Sequence, residues 1–358
     1  MIATIRRKQG RSGVQLYQNR ILRLLAVVLL LCFLAGCGTE GKHTIYEITY
    51  LNLFDTVTTI KGRAENQKAF EATAEQIYND LERYHKLFDI YNDYEGLNNL
   101  KTVNDQAGIS PVTVDPEIIA FLKDCIRYHD LTAGRTNVAM GSVLQLWHEA
   151  RMDGINDPAN AYLPGAEALE EAAEHVDIAN LVIDEQNSTV YLSDPEARLD
   201  VGAAAKGWAV QRIAHELDTG ILLNLGGNVC ATGPKREGEP WVIGIRDPRG
   251  GDRDYLHTLN VENTSVVTSG DYQRSYVVDG QMYHHIIDPD TRMPSAYWSS
   301  VTVICDDSGL ADALSTALFL LPLEEGRALA EECGVEVLWV DASGNTFMTP
   351  GFQTFIRT

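Results

Sequence analysis

Apolar and polar positions follow two rhythms along this chain. Residues 45–60 are rich in β-branched side chains and predict one or two strands, with a break around Asp55. Over 67–87 the apolar positions Phe70, Ala74, Ile77, Leu81 and Tyr84 recur at three- and four-residue intervals, the spacing of one helix face. The stretch 88–105 is polar and aromatic without a period and reads as irregular. Asp115 and Pro116 open a second helix, with Ile118, Ile119, Leu122, Cys125, Ile126 and His129 on its inner side. A further helix is expected near 164–175, then strands at 181–183 and 189–192. From Gly220 onward the pattern is mostly strand and turn, including 241–245, 265–268 and 300–305. Helices return at 310–321 and 323–333, and a strand at 335–340. Strands come in groups and not in strict alternation with helices. That favours an α+β fold, with mixed or antiparallel sheets flanked by helices, over a doubly wound sheet.

The first residues read differently. Arg6, Arg7, Lys8, Arg11, Arg20 and Arg23 precede or interrupt an apolar run over 21–33, which ends on Leu34, Ala35, Gly36 and Cys37. Basic, apolar and small segments in that order describe a secretory signal, and the apolar part is short for a membrane span. A cysteine directly after Leu-Ala-Gly resembles a bacterial lipoprotein box. The expectation is a signal peptide over 1–36, a lipidated Cys37 heading a short tether to residue 44, and one large catalytic domain over 45–358. Such a protein would be anchored on the extracytoplasmic face of a bacterial membrane.

The formal net charge is −21, and the leader holds six of the positive charges, so the remainder carries about −27. A chain this acidic repels nucleic acid and anionic lipid headgroups. A phosphate-bearing ligand would need local help from a metal or from backbone NH groups. Cys125, Cys230, Cys305 and Cys333 are widely spaced with no C-x-x-C pair, which argues against zinc and against a dense disulfide framework. They read as buried thiols, with one bridge left open.

Four segments concentrate chemistry. In 199–209 small residues around Gly202 and a lone Lys206 allow either close approach of a ligand to the backbone or a tightly packed helix entry. The run 222–229 ends an apolar strand on Gly-Gly-Asn, a turn facing a ligand or simply a neighbouring chain segment. Thr268 to Tyr272 and Tyr283 to Pro289 have the spacing of a hairpin that would gather hydroxyl, carboxylate and imidazole groups. Adjacent strand residues face opposite sides, so only one of His284 and His285 is expected in a given site. In 310–318, Asp312, Ser315 and Thr316 stand at i, i+3 and i+4 and share one helix face. An acid with hydroxyls one turn on and no imidazole suits a hard cation, Mg²⁺ or Ca²⁺.

In their order and spacing, Asp200/Lys206, Leu-Asn-Leu-Gly-Gly-Asn (222–228 region), Thr-Ser-Gly-Asp-Tyr, His-His-Ile-Ile-Asp-Pro and Ala-Asp-Ala-Leu-Ser-Thr-Ala resemble the ApbE family of FAD:protein FMN transferases, over essentially 45–358. The resemblance implies Mg²⁺-dependent transfer of FMN from FAD to a Thr or Ser hydroxyl of an acceptor protein, with release of AMP. It implies Ala203, through its carbonyl, with Asp312, Ser315 and Thr316 as metal ligands, Ser315 standing where the family often has Asp. Asp200, Lys206 and Ile287 match FAD contacts, and Tyr91 matches a flavin-contacting tyrosine. Phe54 stands where the family often has Met, and Arg135, Thr136 and Asn137 where it commonly reads Ala-Phe-Asp. His285 is the expected base at the acceptor hydroxyl, with a packing or phosphate-binding role as the alternative, and Asp271 is the second candidate base. Two rivals stand beside this reading: an FAD pyrophosphatase using water, and a non-catalytic flavin-binding lipoprotein.

Overall fold

The computed structural model describes residues 44–218, 220–251 and 254–358. The leader expected over 1–36 and Cys37 lie outside them. Thr44, the last residue of the expected tether, already begins a strand. β1 (Thr44–Leu53) and β2 (Thr56–Ala64) pair antiparallel and turn at Phe54 and Asp55, where the break was expected. The strands β6 (Ile221–Leu225), β7 (Asn228–Ala231), β10 (Thr264–Gly270), β13 (Ser300–Cys305), β14 (Glu336–Val340) and β15 (Thr346–Met348) extend this hairpin. The result is an eight-stranded sheet in the order β1-β2-β6-β7-β10-β13-β14-β15, with every neighbouring pair antiparallel.

The central strands read as nearly unbroken apolar runs because both faces are buried. Val301 and Val303 of β13 and Val337 and Trp339 of β14 face one core, while Ile304, Leu338 and Val340 face another. On the first side lie α1 (Gln67–Phe88), α6 (Ala205–Ala214) and α7 (Ser308–Phe319). The other side is covered by a ribbon of β8 (Trp241–Arg246) and β9 (Tyr255–Val261) and by the 3-10 turn Pro350–Phe355. Helix α8 (Leu323–Cys333) follows α7 and ends on Gly334 at φ 65°, a left-handed cap that a glycine adopts without a Cβ penalty.

Around this body sit α3 (Pro116–Leu131) and a small sheet of β3 (Val112–Thr113), β5 (Thr189–Leu192) and β4 (Leu181–Asp184). A separate satellite core joins α4 (Gly141–Asn156), α5 (Ala166–Ala173) and the hairpin of β11 (Ser275–Val278) and β12 (Gln281–His284) through Val143, Trp147, Leu169, Tyr276 and Ile287.

Three expectations change. Within 88–105 a short helix, α2 (Leu100–Asp105), forms because Asn99 and Thr102 make a reciprocal capping box. The periodicity assigned nothing to α4, since two of its five buried positions are Gly141 and Gly154 and the apolar stripe is thereby hidden. The 268–289 hairpin does not form: Thr268–Gly270 ends β10, between β7 and β13, whereas Tyr283 and His284 pair with β11.

Candidate active site

A cleft of about 1080 Å³ opens where the satellite meets the helix layer and the β1–β2 turn. The turn is strained. Phe54 and Asp55 both adopt positive φ, 51° and 53°, in a position that glycine or asparagine usually fills. The Phe54 N–H donates to His85 Nδ1 at 3.3 Å, and the two rings meet edge-on at 5.5 Å. Gly226 closes in behind, because any Cβ there would collide with Thr56. The NH groups of the Gly-Gly turn are used internally, Gly226 donating to the Val57 carbonyl and Gly227 to Asn224 Oδ1. The turn is thus held by its own strand and by β2, while Gly226, Gly227 and Asn228 line the cleft.

Next to it, the loop 200–204 delivers the chain into α6. Asp200 Oδ1 accepts from the Gly202 N–H at 2.9 Å, and Lys206 Nζ reaches the Gly202 carbonyl at 3.3 Å. Across from this loop, Asp312 on α7 accepts from the Gly207 N–H at 2.8 Å and lies 3.6 Å from Lys206 Nζ. A carboxylate of one helix thus caps the first turn of another, where the dipole favours negative charge. Glycine at 207 is required for this, since a Cβ would run into the Ser308 carbonyl and Asp312 Cβ. Burial still pushes the Asp312 carboxyl up from its ordinary value, against the pull of Lys206 and the Gly207 N–H.

Ala203, Asp312 and Thr316 all line the cleft. The Asn228 amide reaches the Asp312 carboxylate, and its Oδ1 is buried with no hydrogen-bond partner among the described residues. Carboxylate, hydroxyl, carbonyl and an orphaned amide oxygen are the donors a hard cation takes. Ser315 is placed elsewhere: fully buried, it hydrogen-bonds Ser269 Oγ at 2.7 Å and donates to the Asp312 carbonyl at 2.9 Å. It does not line the cleft.

Both histidines line the cleft, where only one was expected, and they differ in their partners. His284 donates from Nε2 to the Ser295 carbonyl and accepts the Ile286 N–H at Nδ1, so both ring nitrogens are committed. His285 lines the cleft with its Nδ1 buried and unpartnered. Burial, then Arg274 and Arg151, lower its pKa to about 3, so the imidazole is neutral in the free chain. Asp271 does not line the cleft. It is held between Ser299 and the His284 side, and burial raises its pKa.

The remaining expected contacts are gathered in the same cleft. Tyr91 stacks on His148, ring centroids 5.0 Å apart. Ile287 forms part of the satellite wall. Arg135 pairs with Asp290 at 2.7 Å, Thr136 donates to the Ala313 carbonyl, and Asn137 braces the Val176 carbonyl. Residues 135–137 therefore serve largely to join the satellite to α7.

Arg151, His148, Arg274 and Asn228 belong to the cleft but not to the set expected from sequence. The first two sit one turn apart on the helix whose stripe the glycines hide. Arg274 lies two residues past the 268–272 motif. Six Lys or Arg side chains and five Asp or Glu line the cleft. A chain of net charge −21 therefore keeps its site locally neutral to positive.

A family model described as "ApbE family" matches residues 43–339. A Treponema pallidum protein named FAD:protein FMN transferase is 32% identical, over 89% of this chain and 90% of its own length. A Vibrio cholerae protein of the same name is 28% identical over 93% and 98%. Among solved structures, an ApbE protein from Thermotoga maritima superposes with a TM-score of 0.77 at 31% identity, covering 88% of this chain and all of its own. A flavin transferase ApbE from Vibrio cholerae gives 0.73 at 26% identity, covering 87% and 99%. Matched by the family model over most of its length and by relatives along nearly all of theirs, this chain belongs to the ApbE family.

Proposed function

We propose that this protein is an FAD:protein FMN transferase, attaching the FMN half of FAD to a Ser or Thr hydroxyl of an acceptor protein and releasing AMP. The observation that carries the reading is the convergence, in one cleft, of Asp312, Thr316, Asn228 and Lys206 with the neutral, unpartnered imidazole of His285.

The acceptor hydroxyl oxygen attacks the flavin-side phosphorus as the bond to the bridging oxygen breaks, and that electron pair leaves on AMP. The His285 imidazole is the group placed to take the hydroxyl proton. Burial, Arg274 and Arg151 keep it unprotonated but weakly basic in the free chain, and an anionic phosphate beside those arginines would raise its basicity. Lys206 and the Asp200 loop, at the start of α6, are the groups that would meet the phosphate oxygens. Ala203, Asp312, Thr316 and Asn228 are the residues that would hold Mg²⁺, which when bound offsets charge on the pyrophosphate. Few protein ligands are needed, since Mg²⁺ shares its shell with phosphate oxygens and water.

Residues 1–36 are read as a lipoprotein signal and Cys37 as its acylation site, which would tether the enzyme to the extracytoplasmic face of a membrane. The basic, apolar and small-residue order supports that placement.

Incubating the soluble chain with FAD, Mg²⁺ and a candidate acceptor tests the activity. Flavin fluorescence should co-migrate with denatured acceptor, matched by equimolar AMP. AMP without labelled acceptor would make the protein a pyrophosphatase. Flavin binding with no AMP would leave only a flavin carrier.

A further inference from the structure

We propose that Arg151 and Arg274 form a clamp for the phosphoryl group that is transferred, the flavin-side phosphate, while the Asp312–Lys206 side takes the adenosine-side phosphate. This rests on the transferase reading and assigns the two phosphates to opposite walls.

The two guanidiniums come from different elements that the satellite core locks together. Arg151 projects from α4 and Arg274 immediately precedes β11. Three residues beyond Arg151, Gly154 lets α4 rest on the Tyr276 ring, which a Cβ there would approach to 2.7 Å. The Tyr276 hydroxyl then donates to the Tyr162 carbonyl at 3.0 Å. Both arginines line the cleft.

Their pairing distinguishes them from other cleft cations. Arg135 has Asp290 and Lys206 has Asp312. Among the described residues neither Arg151 nor Arg274 has a carboxylate within ion-pair distance, and Arg151 Nη2 instead meets His148 Nδ1 at 3.1 Å. Two like charges held together in a partly buried wall are costly until an anion completes them. Guanidinium forks match the non-bridging oxygens of a phosphoryl group.

The identity of that phosphate follows from His285. The β11–β12 ladder pairs Ser275 with His284, which sets Arg274 beside His285 at the end of the hairpin, and α4, carrying Arg151, packs on β11. The three groups therefore share one corner of the cleft, while Lys206 acts on His285 more weakly than either arginine. A base must lie beside the hydroxyl it deprotonates, and that hydroxyl beside the phosphorus it attacks. The clamp therefore grips the flavin-side phosphate, whose two non-bridging oxygens carry charge as the bond to AMP breaks, the third equatorial oxygen being the ester link to the flavin chain. Lys206, which holds Asp312 on α7, faces the leaving half.

The two halves of FAD separate the assignments. FMN, riboflavin and AMP are titrated individually, with Mg²⁺ present, into wild type, Arg151→Gln and Arg274→Gln. FMN should bind wild type more tightly than riboflavin does. Each substitution should weaken FMN by roughly ten-fold or more, leaving riboflavin and AMP unchanged. Arg274→Lys, which keeps the charge without the fork, should recover part of the loss and guards against a folding defect, as does an unchanged melting temperature. AMP weakening in step with FMN would overturn the assignment of walls. Unchanged FMN affinity would overturn the clamp, also where the acceptor KM rises and the arginines prove to bind an acceptor carboxylate. A wild type that neither labels an acceptor nor releases AMP removes the transferase reading, yet the FMN-against-AMP comparison still decides the clamp.

Discussion

Asp312 carries two duties in one carboxylate, capping α6 and supplying the formal negative charge on the proposed cation face. Replacing it by alanine removes both. Asp312→Asn keeps an oxygen for the Gly207 N–H and deletes only the charge. Transfer should fall by at least ~100-fold, with melting close to wild type and Mg²⁺ dependence lost. Transfer at the wild-type rate with unchanged Mg²⁺ dependence would remove Asp312 from the cation site. His285 supplies a different kind of test. If it takes the acceptor proton, His285→Ala should slow single-turnover transfer by roughly 10²–10⁴-fold with little change in FAD affinity. Its imidazole is held near a pKa of about 3 by burial, Arg274 and Arg151. Bound pyrophosphate offsets those arginines and moves the value back toward the ordinary one. The limb due to His285 should therefore lie at lower pH in kcat/KM, which reports the free enzyme, than in kcat, which reports the complex. Both limbs should vanish in the variant. Coincident limbs, or limbs that survive the substitution, would assign the proton to another group.

At the level of elements, the closest contact in the site is α6 against α7. Gly207 is the point of approach, meeting both the Ser308 carbonyl and Asp312 Cβ. Gly207→Ala should separate the helices and cost about 1–3 kcal/mol, the usual penalty for overpacking. It should also move Asp312 away from Lys206, so melting temperature and Mg²⁺ affinity should fall together. A loss of stability with the cation response intact would mean the helices part elsewhere. A second junction ties the chain after α5 to the end of the β4–β5 hairpin, where His175 Nδ1 meets Asp194 Oδ2 at 2.7 Å. Asp194 raises the His175 pKa through a direct hydrogen bond, and His175 lowers that of Asp194 against its burial. The raised histidine contributes stability below its unfolded value near 6.5 and loses it as pH rises through the folded value. The lowered aspartate contributes above about 3.9 and loses that as pH falls. The pair is worth most between about pH 4 and 6.5. His175→Ala should lower the melting temperature there by about 1–3 °C and by less at pH 8. A deficit that is flat with pH would mean packing alone.

For the whole molecule, the described residues contain the eight-stranded sheet, both of its covered faces and the cleft. Cys37→Ser should therefore move the protein from the membrane to the soluble fraction while kcat/KM toward a soluble acceptor stays within about two-fold, since the cleft is lined from Glu47 onward, ten residues past Cys37. A catalytic loss in that variant would give the tether a role in turnover. By itself the sequence determined most strands and helices, because burial on one face or two writes a period of two, a period near 3.6 or an unbroken apolar run into the chain. It also determined the Asp312/Thr316 face, whose geometry is local to one helix. What only the tertiary structure decided depends on contacts between distant segments. Ser315 shares that helix face, yet Ser269, 46 residues away in sequence, takes its hydroxyl. Asp271 lies within a site motif, but the pairing of β10 with β13 turns it toward Ser299 and out of the cleft. Arg151 and Arg274 come to line one cleft only because α4, hidden by its glycines, packs on β11. Periodicity records which side of an element is buried and is silent on which element buries it, and the site is built from that second choice.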